Sequence, residues 1–253
     1  MKTKILAALL SVGCAALQAA EVSGAGAPAA APAASGVDPS TEARRAADAA
    51  KLNQAVALIR SHQPQVAIDQ VLDPLIAAQQ AENASRKETV YCASSPTEAL
   101  YYMGQAALAN KSAIALDGTW CSALYLRGYA QIDLGKLQAA EADYTQALVL
   151  SPSNAHYLSE MGQLQSKKRD WNAALSWFHR AEAAATLAGP ERANAELGSA
   201  LRGIGYVDVE LGKLDEAEAA YRRCLEIDAN DKKAKAELGY VLNLRAKQAG
   251  ASQ

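Results

Sequence analysis

The chain has few side chains suited to chemistry. Among 253 residues there are three histidines, four cysteines and a single phenylalanine. No two histidines stand four apart, as two ligands on one helix face must. No cysteines have the Cys-x-x-Cys spacing of a structural zinc site. The phosphate-cradling G-x-x-x-x-G-K-S/T loop, the G-x-S-x-G nucleophile elbow and the H-E-x-x-H zinc helix are all missing. Carboxylates are plentiful, but their pattern is that of solvated helix faces. The expectation is a chain that is not an enzyme, with no metal and no cofactor. A basic excess is also lacking: 25 Lys and Arg face 27 Asp and Glu, a formal net charge of −2. Nucleic acid is therefore not the expected partner. After Leu17 no apolar run reaches eighteen residues, so no membrane span is expected.

The ends differ from the middle. Met1 to Lys4 is basic, Ile5 to Leu17 is apolar and small, and Gln18-Ala19-Ala20 offers small residues to a peptidase. This is the pattern of a secretory leader over 1–20, so an exported, periplasmic protein is expected. "SVGC" also loosely resembles the lipobox of lipoproteins, with Ser11 where Leu is usual. Lipid anchoring through Cys14, which would fit an outer-membrane assembly factor, is the alternative. Residues 21–40, rich in Ala, Pro, Ser and Gly, read as a flexible linker that buries too little to repay its ordering.

From about Thr41 alanine and leucine dominate, β-branched runs are absent and proline is sparse inside periodic segments. These are helix-favouring features, and the expectation is all-α. "GYAQIDLGKLQAAEADYTQAL" from Gly128 is repeated as "GYVDVELGKLDEAEAAYRRCL" from Gly205. Counting in units of 34 residues from Cys121, Ala155 and Gly198 puts small or aromatic residues at fixed places. Position 8 is Gly128, Gly162 and Gly205. Position 20 is Ala140, Ala174 and Ala217. Position 24 is Tyr144, Phe178 and Tyr221, and position 27 is Ala147, Ala181 and Cys224. Two antiparallel helices that cross closely need small residues where their backbones meet, and Gly135 and Gly212 fall in the turns between them.

With these residues at this period the sequence resembles the tetratricopeptide repeat family. The resemblance implies a right-handed α-solenoid of antiparallel helix pairs, with repeats at 121–154, 155–188 and 198–231. Departures are Leu for the usual aromatic at position 4 (Leu124, Leu158, Leu201), Gln131, Gln165 and Asp208 at position 11, and Arg127 at the usually apolar position 7. Between the second and third units nine residues, Gly189 to Leu197, are extra. Pro190 and Glu191 suit a first helical turn, so this insertion is expected to carry the third unit's first helix back to about Pro190, with a loop as the alternative. Residues 232–247 read as a capping helix with a charged outer side, and 248–253 as a disordered tail.

Upstream, over 41–120, the pattern decays to an irregular helical region with degenerate repeats of open register. Two helical patterns precede residue 85, the second kinked by Pro74. "ASRKETVYCASS" reads as a loop. Ser95-Pro96-Thr97-Glu98 is a capping box expected to open one long helix from Pro96 to Leu116.

Function is sought on the surface. The resemblance implies a concave groove lined by positions 2, 5, 9, 12 and 13 of each first helix. Those positions place Tyr125, Tyr129, Asp133, His156, Gln163, Arg202, Tyr206 and Glu210 there, with Tyr240 from the cap. Tyrosine suits binding sites, but the same rings could pack between helices. The lysine and asparagine clamp by which some members hold a C-terminal carboxylate is absent. The expected function is a non-catalytic envelope scaffold that binds a protein or peptide segment, the alternative a self-associating structural protein with stacked repeats. Of the exported cysteines, Cys224 sits at a packing position. Cys92 and Cys121 could form a disulfide.

Overall fold

A computed structural model describes residues 39–251. The leader, Cys14, most of the expected linker and the last two residues lie outside the described residues. The rest is an all-α solenoid, interrupted by one small βαβ unit.

The chain opens with α1 (Pro39–Arg60), which starts within the expected linker, with Pro39 as its first residue. A turn follows in which His62 adopts φ 58°. The return arm is α2 (Pro64–Ala67), a π-turn over Ile68–Leu72 and α3 (Asp73–Asn83). Proline cannot donate to the helix ladder and its ring crowds the preceding turn. The wider π-turn just before Pro74 keeps the chain helical through this point. Ala55, Ala67, Leu72 and Leu75 are buried between the two arms and the next helix.

The region that follows departs from the sequence reading. The expected loop holds strand β1 (Thr89–Ala93), and the expected long helix stops early. Helix α4 spans Pro96–Leu108, and Asn110 then takes a left-handed φ of 52°. Residues Ala113–Asp117 form β2, paired parallel to β1 with Val90 opposite Ile114 and Tyr91 opposite Ala115. The alanine and leucine of this stretch favour helix, but pairing with β1 overrides that weak preference. Ser95 caps α4, accepting from the Glu98 N–H at 3.0 Å.

Three helix pairs come next: α5 (Thr119–Asp133) with α6 (Leu137–Leu150), α7 (Ala155–Lys167) with α8 (Trp171–Ala184), and α9 (Ala193–Glu210) with α10 (Leu214–Ile227). Their packing follows the repeated residues. A Cβ on Gly128 would lie 2.6 Å from the Tyr144 ring, one on Gly162 2.9 Å from Phe178, and one on Gly205 2.7 Å from Tyr221. The position-24 aromatic thus lies flat on the glycine of its own pair. Ala140, Ala174 and Ala217 are fully buried opposite. Each turn between paired helices uses one left-handed residue, Gly135, Arg169 and Gly212, all at position 15 of their units. Arginine tolerates this conformation less well than glycine.

The insertion lengthens a helix less than expected. A short 3-10 turn over Ala185–Ala188 continues α8, Gly189 breaks it at φ 86°, and α9 begins only at Ala193. Pro190, Glu191 and Arg192 form the turn. The last helix, α11 (Lys232–Ala251), caps the array and extends into the expected tail. Among the described residues no helix is long and apolar enough to cross a membrane.

Candidate functional site

Most of the sequence-predicted groove residues occur on the first helices of successive pairs, and the geometry divides them. Tyr125 is the centre of an aromatic cluster. Its ring stacks on Tyr144 at 6.0 Å and on Tyr157 at 5.5 Å, meets the His156 ring edge-on at 4.8 Å, and lies 6.4 Å from Tyr129. Tyr125 and Tyr129 are half-buried and pack against the core from one side. Tyr206, on α9, is also half-buried and meets Trp171 edge-on at 6.1 Å. Gln163 is half-buried, while Asp133, Glu210 and Tyr240 are exposed. Arg202 is held by Asp231 at 2.6 Å, which ties α9 to the start of α11.

Two carboxylates that position counting missed join His156. Glu160 lies one turn along α7 and is buried, and Glu196 belongs to the inserted segment. His156 Nδ1 is 3.6 Å from Glu196, whose other oxygen accepts from Arg192 at 2.5 Å. Burial alone would lower the His156 pKa, but the close contact with Glu196 and the charges of Glu160 and Glu196 raise it. Burial would raise Glu196, yet His156 and Arg192 hold it below the usual carboxylate range. Glu160 is pushed up by burial, partly offset by His156. His156 and Glu160 stand at i, i+4 on one helix, a spacing that could have flagged the pair.

Further along, burial pushes Lys167 down although Asp133 and Glu160 act the other way. Burial and then Glu210 push the Tyr206 phenol up. Tyr144 is fully buried with a hydroxyl that has no hydrogen-bond partner among the described residues, and its phenol lies within the fields of Glu160, Tyr129 and Asp133. Of the carboxylates on α5, α7 and α9 described above, Asp133 and Glu210 are exposed, while Glu160 and Glu196 are buried.

A polar network joins the βαβ unit to the repeats. Buried Glu98 accepts from the Ser94 N–H at 2.6 Å and from the Tyr102 hydroxyl at 2.7 Å, and that hydroxyl accepts from the Ser153 N–H at 3.1 Å. Burial beside Glu98 drives the Tyr102 phenol far above its usual range. Asn154 donates to Ser94 at 2.9 Å and caps α7 by accepting from Tyr157. The recess between Glu98, Asn154, His156 and Glu196 has room for about 10 Å³, no more than one water. It is a packed joint, not a ligand cavity. Cys92 and Cys121 are disulfide-bonded beneath it, their Cα atoms 6.2 Å apart, linking β1 to α5. Ser151 on the α6 end donates to the Cys92 carbonyl at 2.8 Å.

The departure at Arg127 also has a structural role. Its guanidinium forks onto buried Asp143 of α6, at 3.0 Å from Nε and 2.6 Å from Nη2, and reaches Asp73 of α3 at 2.7 Å. Gln131 donates to the same Asp143 at 2.8 Å. Position 7 of this unit therefore binds the first helical hairpin to the repeats, and position 11 supports the same Asp143 within the pair.

Models of the tetratricopeptide repeat match residues 121–154 and 193–231. The second match begins where α9 begins. Among solved structures, pilF of Pseudomonas aeruginosa superposes with a TM-score of 0.57 at 14% identity, over 83% of this chain and 74% of that one. A tetratricopeptide repeat protein from Parabacteroides merdae gives 0.52 at 16% identity, over 79% and 60%. The first tetratricopeptide domain of RPAP3 (Spaghetti), bound to an HSP90 peptide, gives 0.45 at 24% identity, over 52% and 99%. No curated protein matches the chain.

Proposed function

We propose that this chain, which matches the tetratricopeptide repeat over residues 121–154 and 193–231, is a non-catalytic scaffold that holds a segment of another protein along the face of α5, α7 and α9. The observation that carries this reading is the row formed by Tyr125, Tyr129, His156 and Tyr206. Each of these residues is half-buried and in contact with neighbouring rings or a carboxylate. Side chains fixed in this way lose little freedom when a partner arrives, so less of the contact energy is spent on ordering. The repeats themselves support the reading, since stacked helix pairs form an extended preformed surface. The exposed carboxylates of these helices, Asp133 and Glu210, favour a partner segment carrying basic side chains.

The leader-like start supports an exported, periplasmic setting, with the partner drawn from the cell envelope. Anchoring through Cys14 would place the same groove at a membrane surface. Photo-crosslinking tests the reading in cells that make the protein. A benzoylphenylalanine at position 129 or 206 should trap a discrete partner, and one at exposed position 222, on the second-helix side, should not. Adducts at 222 with none at 129 or 206 would assign binding to the opposite face.

A further inference from the structure

The βαβ unit ends on an open strand edge. The Thr89 N–H donates to the Ser112 carbonyl at 2.9 Å, and Thr89 lies opposite Ala113. In this parallel register Ser112, Ile114 and Leu116 turn their backbone groups toward β1, and those of Ala113, Ala115 and Asp117 point away. Among the described residues no backbone hydrogen bond ties that outer row to another segment. Ala-Ile-Ala-Leu carries none of the charges, prolines or bulges that usually blunt an edge, and two strands alone make a marginal sheet.

The helix over this sheet is equally bare. Tyr102 of α4 stacks on Tyr91 at 5.0 Å, so α4 covers the face that carries Tyr91, Ala113 and Ala115. From Ala99 to Asn110 there is no charged residue. Leu100 is 76% exposed and Leu108 81%, flanked by exposed Tyr101 and Met103, and a Cβ on Gly104 would meet nothing within 4 Å.

We propose that a second copy of this chain completes this unit. The β2 strands of two copies pair antiparallel across a two-fold axis, which makes a four-stranded sheet and sets the two α4 helices side by side. Two features favour a copy of the same chain over another partner. The first is charge. With the axis at Ile114, Ala113 lies opposite the partner's Ala115, and exposed Lys111 lies opposite the partner's Asp117, twice by symmetry. All four are odd-numbered, so the outward backbone groups meet as hydrogen-bonded pairs. Asp117 Oδ1 accepts from the Thr119 N–H at 3.1 Å, and its other oxygen makes an exposed contact to Arg45 at 3.3 Å, which is easily exchanged. The second feature is spacing. Helix α4 packs on both β1 and β2, and strands lie about 4.8 Å apart. A copy across the axis puts its α4 two strand spacings away, about 10 Å, at the distance where helices pack through their side chains. Exposed Met103 and Leu108 fall on opposite flanks of the buried Glu98, Tyr102 and Ala106 side of α4, so the flank that meets the copy is uncharged either way. This surface is separate from the groove on α5, α7 and α9, so the two can be tested independently.

Sedimentation velocity of the full chain over a concentration series is the test, with two variants. The wild type should form a dimer. Met103→Glu/Leu108→Glu, at exposed positions on the two flanks of α4, should shift it to monomer with an unchanged melting temperature. Ile114→Cys should give a covalent dimer on a non-reducing gel, because the two side chains face each other across the axis at about 5 Å. A wild type that stays monomeric at every concentration overturns the proposal and leaves the edge to another occupant. So does a dimer that survives the two glutamates, or one that Ile114→Cys fails to link.

Discussion

The ring of Phe178 lies against Gly203 so closely that no Cβ fits there unless one of them moves. Phe178 also covers Gly162 of its own pair. One aromatic side chain therefore joins α7, α8 and α9, and the glycines on either side set how closely consecutive pairs stack. Overpacking such a contact costs about 1–3 kcal/mol, which outweighs the roughly 1 kcal/mol that alanine gains over glycine in a helix. Gly203→Ala should lower the melting temperature by several degrees. Gly239→Ala, in α11 with open space around it, should raise it slightly. Differential scanning calorimetry of both variants checks the opposite signs.

Arg127 and Asp143 form the second joint. Asp143 is nearly fully buried, and burial pushes its pKa up while Arg127 pulls it back. Removing one partner of a buried pair leaves a charge stranded, at a cost of about 3–5 kcal/mol. Arg127→Leu should cost that much in urea unfolding. Arg127→Leu/Asp143→Leu should recover most of the loss, because the site becomes the apolar contact usual at these positions.

The disulfide should be worth more than a surface contact. Cys92 and Cys121 are 29 residues apart, and closing a loop of that length stabilises by about 3–4 kcal/mol in the chain-entropy model. Cys92→Ser/Cys121→Ser should lose about this much, and reductant should reproduce the loss in the wild type but not in the variant. Equal stability with and without reductant would show that the bond contributes nothing.

The His156–Glu196 pair predicts a pH dependence with a definite sign. His156 has a raised pKa in the fold, so its contribution is fully present below its ordinary value near 6.5 and is lost as pH rises through the folded value. Glu196 has a lowered pKa, so its contribution is present above about 4.5 and is lost as pH falls through the folded value. Glu160, raised by burial, acts oppositely to Glu196 and favours acid. His156→Gln should therefore lower the melting temperature more at pH 6 than at pH 8. An equal loss at both would reduce His156 to a packing role.

The helix pairs were legible because their signal is positional. Gly128 and Tyr144, and Gly205 and Tyr221, are contacts that recur at one spacing, and the structure places each aromatic on its glycine. The βαβ unit was not legible, since Ala113 to Leu116 favours helix locally and becomes a strand only by pairing with β1. The start of α9 was misjudged because Pro190 and Glu191 suit a first turn, whereas the left-handed Gly189 sets up an extra turn before Ala193. Counting positions selected Tyr125, Tyr129, His156 and Tyr206, which the structure places half-buried on α5, α7 and α9. It missed Glu160, which falls between the counted positions, and Glu196, which the insertion carries in from outside the repeat.

The central claim is that the face of α5, α7 and α9 binds a segment of a partner. Calorimetric titration of the segment trapped at position 129 or 206 tests it most directly, with the wild type and Tyr129→Ala/Tyr206→Ala. Half-exposed aromatic anchors at a binding face each carry upward of about 1 kcal/mol. The double variant should bind at least about tenfold more weakly while its melting temperature stays within a few degrees of the wild type. Unchanged affinity, or weaker binding that comes only with a collapse in stability, would contradict the account and return both tyrosines to the packing of the helices.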